Sequence, residues 1–345
     1  MKNKIAITSA FLAASGLTMA EIKINEFLSF EGFVDMSYSH TDRDLNSGKT
    51  SDNSFSIDQV EIDWLFNFGN LTARVDLEHE DGNGVNTDSG TTVEQAFVSY
   101  DLGNGMAITA GRYETMLGLE AKEPTGLYQF SRAYATSLGS ALDGPFNWFA
   151  QGVKATYETD SAFFGLSIQD EAFGYDANRL GGDNDGSWGL EAAGSITSGA
   201  ITYFLGGSYE DGDGAGDTWL INGHVTYVSG PWTIGAEAFV GESERNAYAS
   251  NFVSGSSNDE LETTGGLLMA NYAYNDCSSV TGRISYIEYE NKNRDEDQLK
   301  YTLAHIYALT DNLAIITELS YAEYERSNGR EEEELQGAVE VLFTF

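Results

Sequence analysis

The chain has 345 residues, with 18 basic and 54 acidic side chains, a formal net charge of −36 and one cysteine. That acidic surplus excludes a phosphate-binding nucleic-acid protein, which needs clustered Lys and Arg, and one cysteine excludes an internal disulfide framework or a Cys-rich zinc site. A mean hydropathy of −0.30 argues against a bundle of transmembrane helices. It leaves open a transmembrane barrel, whose strands are apolar on one side only.

Lys2 and Lys4 precede the apolar run Ile5 to Leu12 and the small residues Ala13-Ala14-Ser15-Gly16. With Thr18-Met19-Ala20 as the cleavage site, this predicts an export signal over 1–20, cut after Ala20. Residues 21–345 then form one domain, with no internal boundary.

From there the dominant signal is alternation. In Leu71-Thr72-Ala73-Arg74-Val75-Asp76-Leu77-Glu78 the odd positions are apolar and the even ones polar, and Leu335 to Phe345 repeats the pattern. Period two means a strand with one apolar and one polar side. Sixteen strands are predicted, over 27–40, 54–68, 71–80, 92–101, 106–113, 148–158, 162–170, 187–197, 200–210, 218–228, 232–241, 262–274, 279–290, 298–309, 313–325 and 334–345.

Their connections alternate short and long. Short turns such as Gly69-Asn70, Ser198-Gly199 and Thr310-Asp311-Asn312 have hairpin composition. Longer stretches lie at 41–53, 81–91, 114–147, 171–186, 211–217, 242–261, 291–297 and 326–333. Every long loop on one side, with an even strand count, predicts an all-β, sixteen-stranded antiparallel transmembrane barrel with periplasmic turns and outward loops. Closure is required because an open strand edge in lipid leaves backbone groups unpaired.

Strand parity assigns the faces. Val60, Ile62, Trp64 and Phe66 point to lipid, and Trp64, Trp188, Trp219 and Trp232 fall at strand ends as an aromatic girdle. The polar face lines the bore. Its charged members are Glu31, Asp35, Glu61, Asp63, Arg74, Asp76, Glu78, Lys154, Glu191, Glu237, Arg283, Lys300, Glu318 and Glu340. A barrel of this size leaves a water-filled lumen where such groups stay hydrated. Acids outnumber bases, which predicts a weak cation preference.

The 114–147 connection is the longest, and Met116, Leu117, Leu119, Leu127, Tyr128 and Phe130 make it too apolar for solvent. It is expected to fold inward and narrow the bore, placing Glu114, Glu120, Lys122, Glu123, Arg132 and Asp143 at a constriction. Arg74, Lys154, Arg283 and Lys300 would face those acids across a transverse field.

Export signal, sixteen amphipathic strands, long third outer loop and terminal Phe345 together resemble the bacterial outer-membrane porin superfamily. Ile108 to Glu120, with Gly111-Arg112-Tyr113 leading to Gly118-Leu119-Glu120, is similar to a segment of the putative beta-barrel porin families, including the phosphate-selective porin-like group. Met116-Leu117 stand where those families carry a proline, and the polar face lacks their strong basic cluster. The resemblance implies a passive pore for ions and small hydrophilic solutes in the cell outer membrane. It also implies a homotrimer with the third loop inside, and a terminal aromatic, Phe345, read by the barrel-assembly machinery.

No catalytic centre or metal ligand set is expected. His40, His79, His224 and His305 are scattered, and no Ser- or Asp-centred motif accompanies them. Asp81 to Gly84, Asp183 to Gly186 and Asp211 to Asp217 lack the bidentate Glu of an EF-hand. They read as solvated turns, with weak divalent cation binding as the alternative. Glu331 to Glu334 read as a solvated rim in the last outer loop, and Cys277 as a bystander in a periplasmic turn. A non-conducting barrel serving as adhesin or structural surface protein is the alternative function. A secreted soluble β protein is a third class.

Overall fold

The computed structural model describes residues 21–80, 90–135, 146–173, 186–212, 216–244, 260–292 and 294–345. The expected signal, the 81–84 motif and Asp143 lie outside these residues, as do most of 183–186 and the centre of 211–217. A two-residue strand, β1 (Ile22–Lys23), precedes sixteen longer ones. These begin with β2 (Leu28–Leu45), β3 (Gly48–Asn67), β4 (Leu71–Glu80), β5 (Gly90–Gly103) and β6 (Met106–Glu114). Then come β7 (Phe149–Glu158), β8 (Ala162–Gln169), β9 (Trp188–Ser198), β10 (Ile201–Asp211), β11 (Asp217–Ser229) and β12 (Trp232–Ser243). The last are β13 (Leu261–Asn275), β14 (Ser278–Asn291), β15 (Arg294–Thr310), β16 (Leu313–Arg326) and β17 (Arg330–Thr344).

Each of β2–β17 pairs antiparallel with its chain neighbours, and β17 pairs with β2, Leu342 opposite Asp35. The sheet is therefore a closed sixteen-stranded barrel, as the alternation predicts. Phe345 finishes the seam by exchanging two backbone hydrogen bonds of 2.9 Å with Gly32.

The burial pattern is inside out. Leu205 is 65% exposed and Leu303 58%, while Glu61, Asp63 and Glu191 are exposed by 1%, 0% and 2%. In water each such leucine would forfeit roughly 1.5–3 kcal/mol of burial; facing hydrocarbon it does not. Aromatic pairs mark the band's edges, among them Trp232–Tyr272 and Trp188–Tyr209, with ring centroids 4.6 Å and 6.0 Å apart.

Three expected outer loops are strand instead. β2 and β3 run on to a turn at 46–47, β14 and β15 stay paired out to Asn291 opposite Arg294, and β16 and β17 turn over 327–329. Above the membrane both faces of a strand meet water, so the apolar face that produces period two is missing. Ion pairs brace these extensions, Lys49 Nζ lying 2.8 Å from Asp44 and Arg326 Nη2 2.8 Å from Glu332. Glu331 to Glu334 accordingly begin a strand and are not a loop rim. Glu331 and Glu333 are exposed; Glu332 and Glu334 point inward and are buried.

Candidate functional site

The segment after β6 turns into the barrel and crosses it. Its backbone N–H groups are received by side chains of the wall. Met116 N donates to Glu191 Oε1 of β9 at 2.7 Å, and Gly118 N to Asn222 Oδ1 of β11 at 3.2 Å. Leu119 N donates to Glu237 Oε1 of β12 at 2.7 Å. Five residues beyond Gly118, Glu123 accepts a 2.9 Å hydrogen bond from Gln59 Nε2 of β3. β3 and β11 lie eight places apart in the ring of sixteen, so the loop links opposite walls. After a short 3-10 turn at Pro124–Gly126 it returns along β14–β16. There the Tyr128 carbonyl accepts from Thr281 Oγ1 at 2.9 Å, and Ser131 N donates to Glu318 Oε2 at 2.9 Å.

Apolar packing holds the same path. Leu117, Leu119, Tyr128 and Tyr134 share a buried cluster with inward-facing Leu220, Phe239, Leu267, Met269 and Ile287. The Tyr134 and Phe239 rings meet edge to face at 5.2 Å. The wall lacks side chains where the loop comes closest. A Cβ on Gly206 would stand 2.5 Å from Leu117 Cδ2, and one on Gly235 2.9 Å from Leu119 Cδ2. The lumen face is thus partly apolar, because an inward loop with an apolar side needs a matching surface. A second inward cluster joins Phe33, Ile306, Ile316 and Leu342, with Phe130 of the loop against it.

Among the expected constriction residues, Glu120 joins the loop to the wall. It accepts from Arg283 Nη1, from Gln129 Nε2 at 2.7 Å and from Ala133 N at 2.7 Å. Lys122 Nζ donates to the Trp148 carbonyl and lies 3.8 Å from the Glu114 carboxylate. Arg132 stacks over the Trp148 ring at 4.0 Å and donates to the Ala121 and Lys122 carbonyls. Burial pushes the Lys122 ammonium down to about 8. Burial, with Glu94 beside it, pushes the Glu123 carboxyl up to about 8.

Of the four wall bases expected to face loop acids, Arg283 alone ion-pairs with one of them, Glu120, among the described residues. Lys154 Nζ reaches the Glu114 carbonyl at 2.9 Å, and Lys300 Nζ the Arg132 and Ala135 carbonyls at 3.1 and 2.8 Å. Arg74 stays on its own wall, 2.9 Å from Asp63 Oδ2 and 2.7 Å from Asp76 Oδ1.

Expected wall residues Asp35, Glu61, Asp63, Asp76, Glu78, Glu191, Glu237 and Glu318 all face inward, and each is buried. That differs from the hydrated state expected of them, because the loop and neighbouring side chains cover them. Two further carboxylates join the wall from β-bulges. Asp35 pairs with Gln59 and Met36 with Ile57, leaving Asp58 extra; Asp76 pairs with Gln95 and Leu77 with Val93, leaving Glu94 extra. A bulge puts two residues against one and re-aims the side chain. The consecutive polar pairs Asp58-Gln59 and Glu94-Gln95 are the sequence signal, since strict alternation would send one of each pair into lipid.

The profile of one protein family, described as Putative beta-barrel porin-2, OmpL-like, matches residues 28–345. No curated protein matches the sequence. Among solved structures, the fold is similar to the outer membrane channel DcaP of Acinetobacter baumannii, with a TM-score of 0.67 at 13% identity over 95% of this chain and 100% of that one. It is also similar to the anion-selective porin from Comamonas acidovorans, with a TM-score of 0.64 at 15% identity over 92% and 99%. The trimer form of OmpT of Vibrio cholerae gives a TM-score of 0.58 at 13% identity, again over 92% and 99%. These likenesses concern the fold.

Proposed function

The chain belongs to the putative beta-barrel porin-2, OmpL-like family, and on that premise we propose that it is an outer-membrane porin. It forms a channel for passive diffusion of ions and small hydrophilic solutes, with a weak preference for cations. The observation that carries the reading is a closed barrel whose bore is crossed by its own loop, from Asn222 of β11 to Gln59 of β3. Such a crossing narrows a wide barrel to a size-selective passage. The cation preference draws on the wall charge. Among the described buried residues, thirteen carboxylates stand against four bases.

The same reading includes export with cleavage after Ala20, contact with outer-membrane lipid, recognition of Phe345 by the assembly machinery and a homotrimer. The trimer form of OmpT supports the last. No cofactor belongs to it, and the acidic loops are solvated turns, with weak divalent binding there as the alternative. Catalysis does not belong to it either.

Purified protein in a planar bilayer should give stepwise conductance. A salt gradient should give a reversal potential of cationic sign, and a clear anion preference defeats the charge argument. One observation favours a second reading, a non-conducting barrel: the loop packs an apolar cluster against β11–β14 inside the bore. Consistent silence in the bilayer establishes that reading instead.

A further inference from the structure

The wall opposite that apolar cluster has the reverse character. β2–β5 bring together Glu31, Glu61, Asp63, Asp76 and Glu94, and the loop adds Glu123. Carboxylate oxygens of Glu61, Glu94 and Glu123 lie within 4.8 Å of one another, and so do those of Glu61, Asp63 and Asp76. Glu61 belongs to both groups.

The second group has its base. Arg74 lies 2.9 Å from Asp63, 2.7 Å from Asp76 and 3.7 Å from Glu31. Yet Asp63, with no exposed surface, still presents Oδ1 with no hydrogen-bond partner. A fully buried carboxylate oxygen without a donor is costly, and a bound ion is one of the few physical explanations for it. In the first group, Arg112 directs Nε to the Glu94 carbonyl oxygen at 2.8 Å. Gln59 Nε2 donates to Glu61 at 3.2 Å and to Glu123 at 2.9 Å. One neutral amide thus bridges two glutamates that repel each other. The β5 bulge that turns Glu94 inward is the kind of local distortion that re-aims a side chain at a site.

From this geometry we infer a divalent cation site of the calcium class, formed by Glu61 of β3, Glu94 of β5 and Glu123 of the loop, with Asp63 beside it. Calcium takes six to eight oxygens in irregular geometry at roughly 2.3–2.6 Å, and carboxylates bind in one- or two-oxygen mode. Three glutamates and water meet that demand. Exchanging the oxygen and nitrogen of the Gln59 amide, which occupy equivalent positions, adds a carbonyl ligand where it now bridges two acids. The cation would tie the loop to β3 and β5, where Gln59 of β3 already holds Glu123. The site does not depend on whether the barrel conducts, because its occupancy is read on protein in detergent.

The test is equilibrium dialysis of the full-length, detergent-purified protein against calcium chloride after chelator treatment, with metal counted by mass spectrometry. Wild type should retain about one calcium per chain at millimolar calcium or below, the range of carboxylate sites of this kind. Glu94→Gln and Glu123→Gln should each weaken binding about tenfold or more, since affinity follows ligand charge. Asp160→Asn, in an exposed turn at the other end, should bind as wild type does. Heat-modified gel mobility reports whether each variant is folded. Should one fail, hydrogen exchange of wild-type residues 119–127 with and without calcium replaces it, and protection by calcium is the expected result. No bound calcium in wild type, equal binding in folded Glu94→Gln and Glu123→Gln, or unchanged exchange overturns the site.

Discussion

Carboxylates on the inner wall fall into two kinds. On β9–β12 they are receivers. Glu191 takes Met116 N, and Glu210 takes Ala172 N and Phe173 N at 2.7 Å each. Glu237 takes Leu119 N, the Asn222 amide and the Tyr134 hydroxyl at 2.7, 2.9 and 2.8 Å. On β2, β3 and β17 they face one another. Asp35 Oδ1, Asp58 Oδ2, Asp63 Oδ1 and Glu340 Oε1 are buried without a hydrogen-bond donor. Residue type, face and depth are alike in both regions. What differs is the supply of donors, because the segments after β6 and β8 bring free N–H groups to one wall, while the loop brings its carboxylate Glu123 to the other. A buried charge with donors anchors structure; the same charge without them is a liability or a ligand.

Neutralising a carboxylate should therefore act with opposite sign in the two regions, and removing the cation beside one should destabilise. The largest effect is expected from Arg74→Met, which strips Asp63 and Asp76, both with no exposed surface, of their cation. Leaving such charges uncompensated should cost about 3–5 kcal/mol, seen as a lower denaturation midpoint in detergent. Next comes Glu237→Ala, which orphans three donors at once. A loss of about 2–3 kcal/mol is expected, confined to the loop. Proteolysis or hydrogen exchange over 117–135 should rise while the barrel midpoint stays near wild type. Asp35→Asn should do the reverse, because an amide beside Glu340 supplies a donor and removes a repulsion; a gain of about 1 kcal/mol in midpoint stability is expected. A loss there would mean that the two regions do not differ as described. The smallest effect belongs to the rim. Arg326→Gln breaks a pair with Glu332 whose arginine is 34% exposed, and a change of at most about 1 kcal/mol should be measured.

The fold was legible because lipid outside and polar surroundings inside impose period two on every crossing strand. Hence all sixteen strands appear in the sequence, with Glu61 and Asp63 correctly placed on the inner face. Parity fails in three places, each for a physical reason. Above the membrane there is no apolar face, so 41–53 and 326–333 look like loops. At a bulge the count slips by one, so Asp58 and Glu94 escape the lumen list. Where the loop packs, the inner face is apolar too, and Leu267-Leu268-Met269 loses its alternation.

Local chemistry by itself determined the barrel, its strand number, its faces and the presence of an apolar segment too long to leave in water. Those follow from neighbours two residues apart and from the solvent each face meets. The tertiary structure alone decided which acids receive a loop amide, which wall base meets Glu120, and that Glu61, Glu94 and Glu123 share one point. These are contacts between residues tens to more than a hundred positions apart. Their geometry depends on barrel register, on two single-residue bulges and on the path of one chain across the bore, none of which leaves a periodic trace.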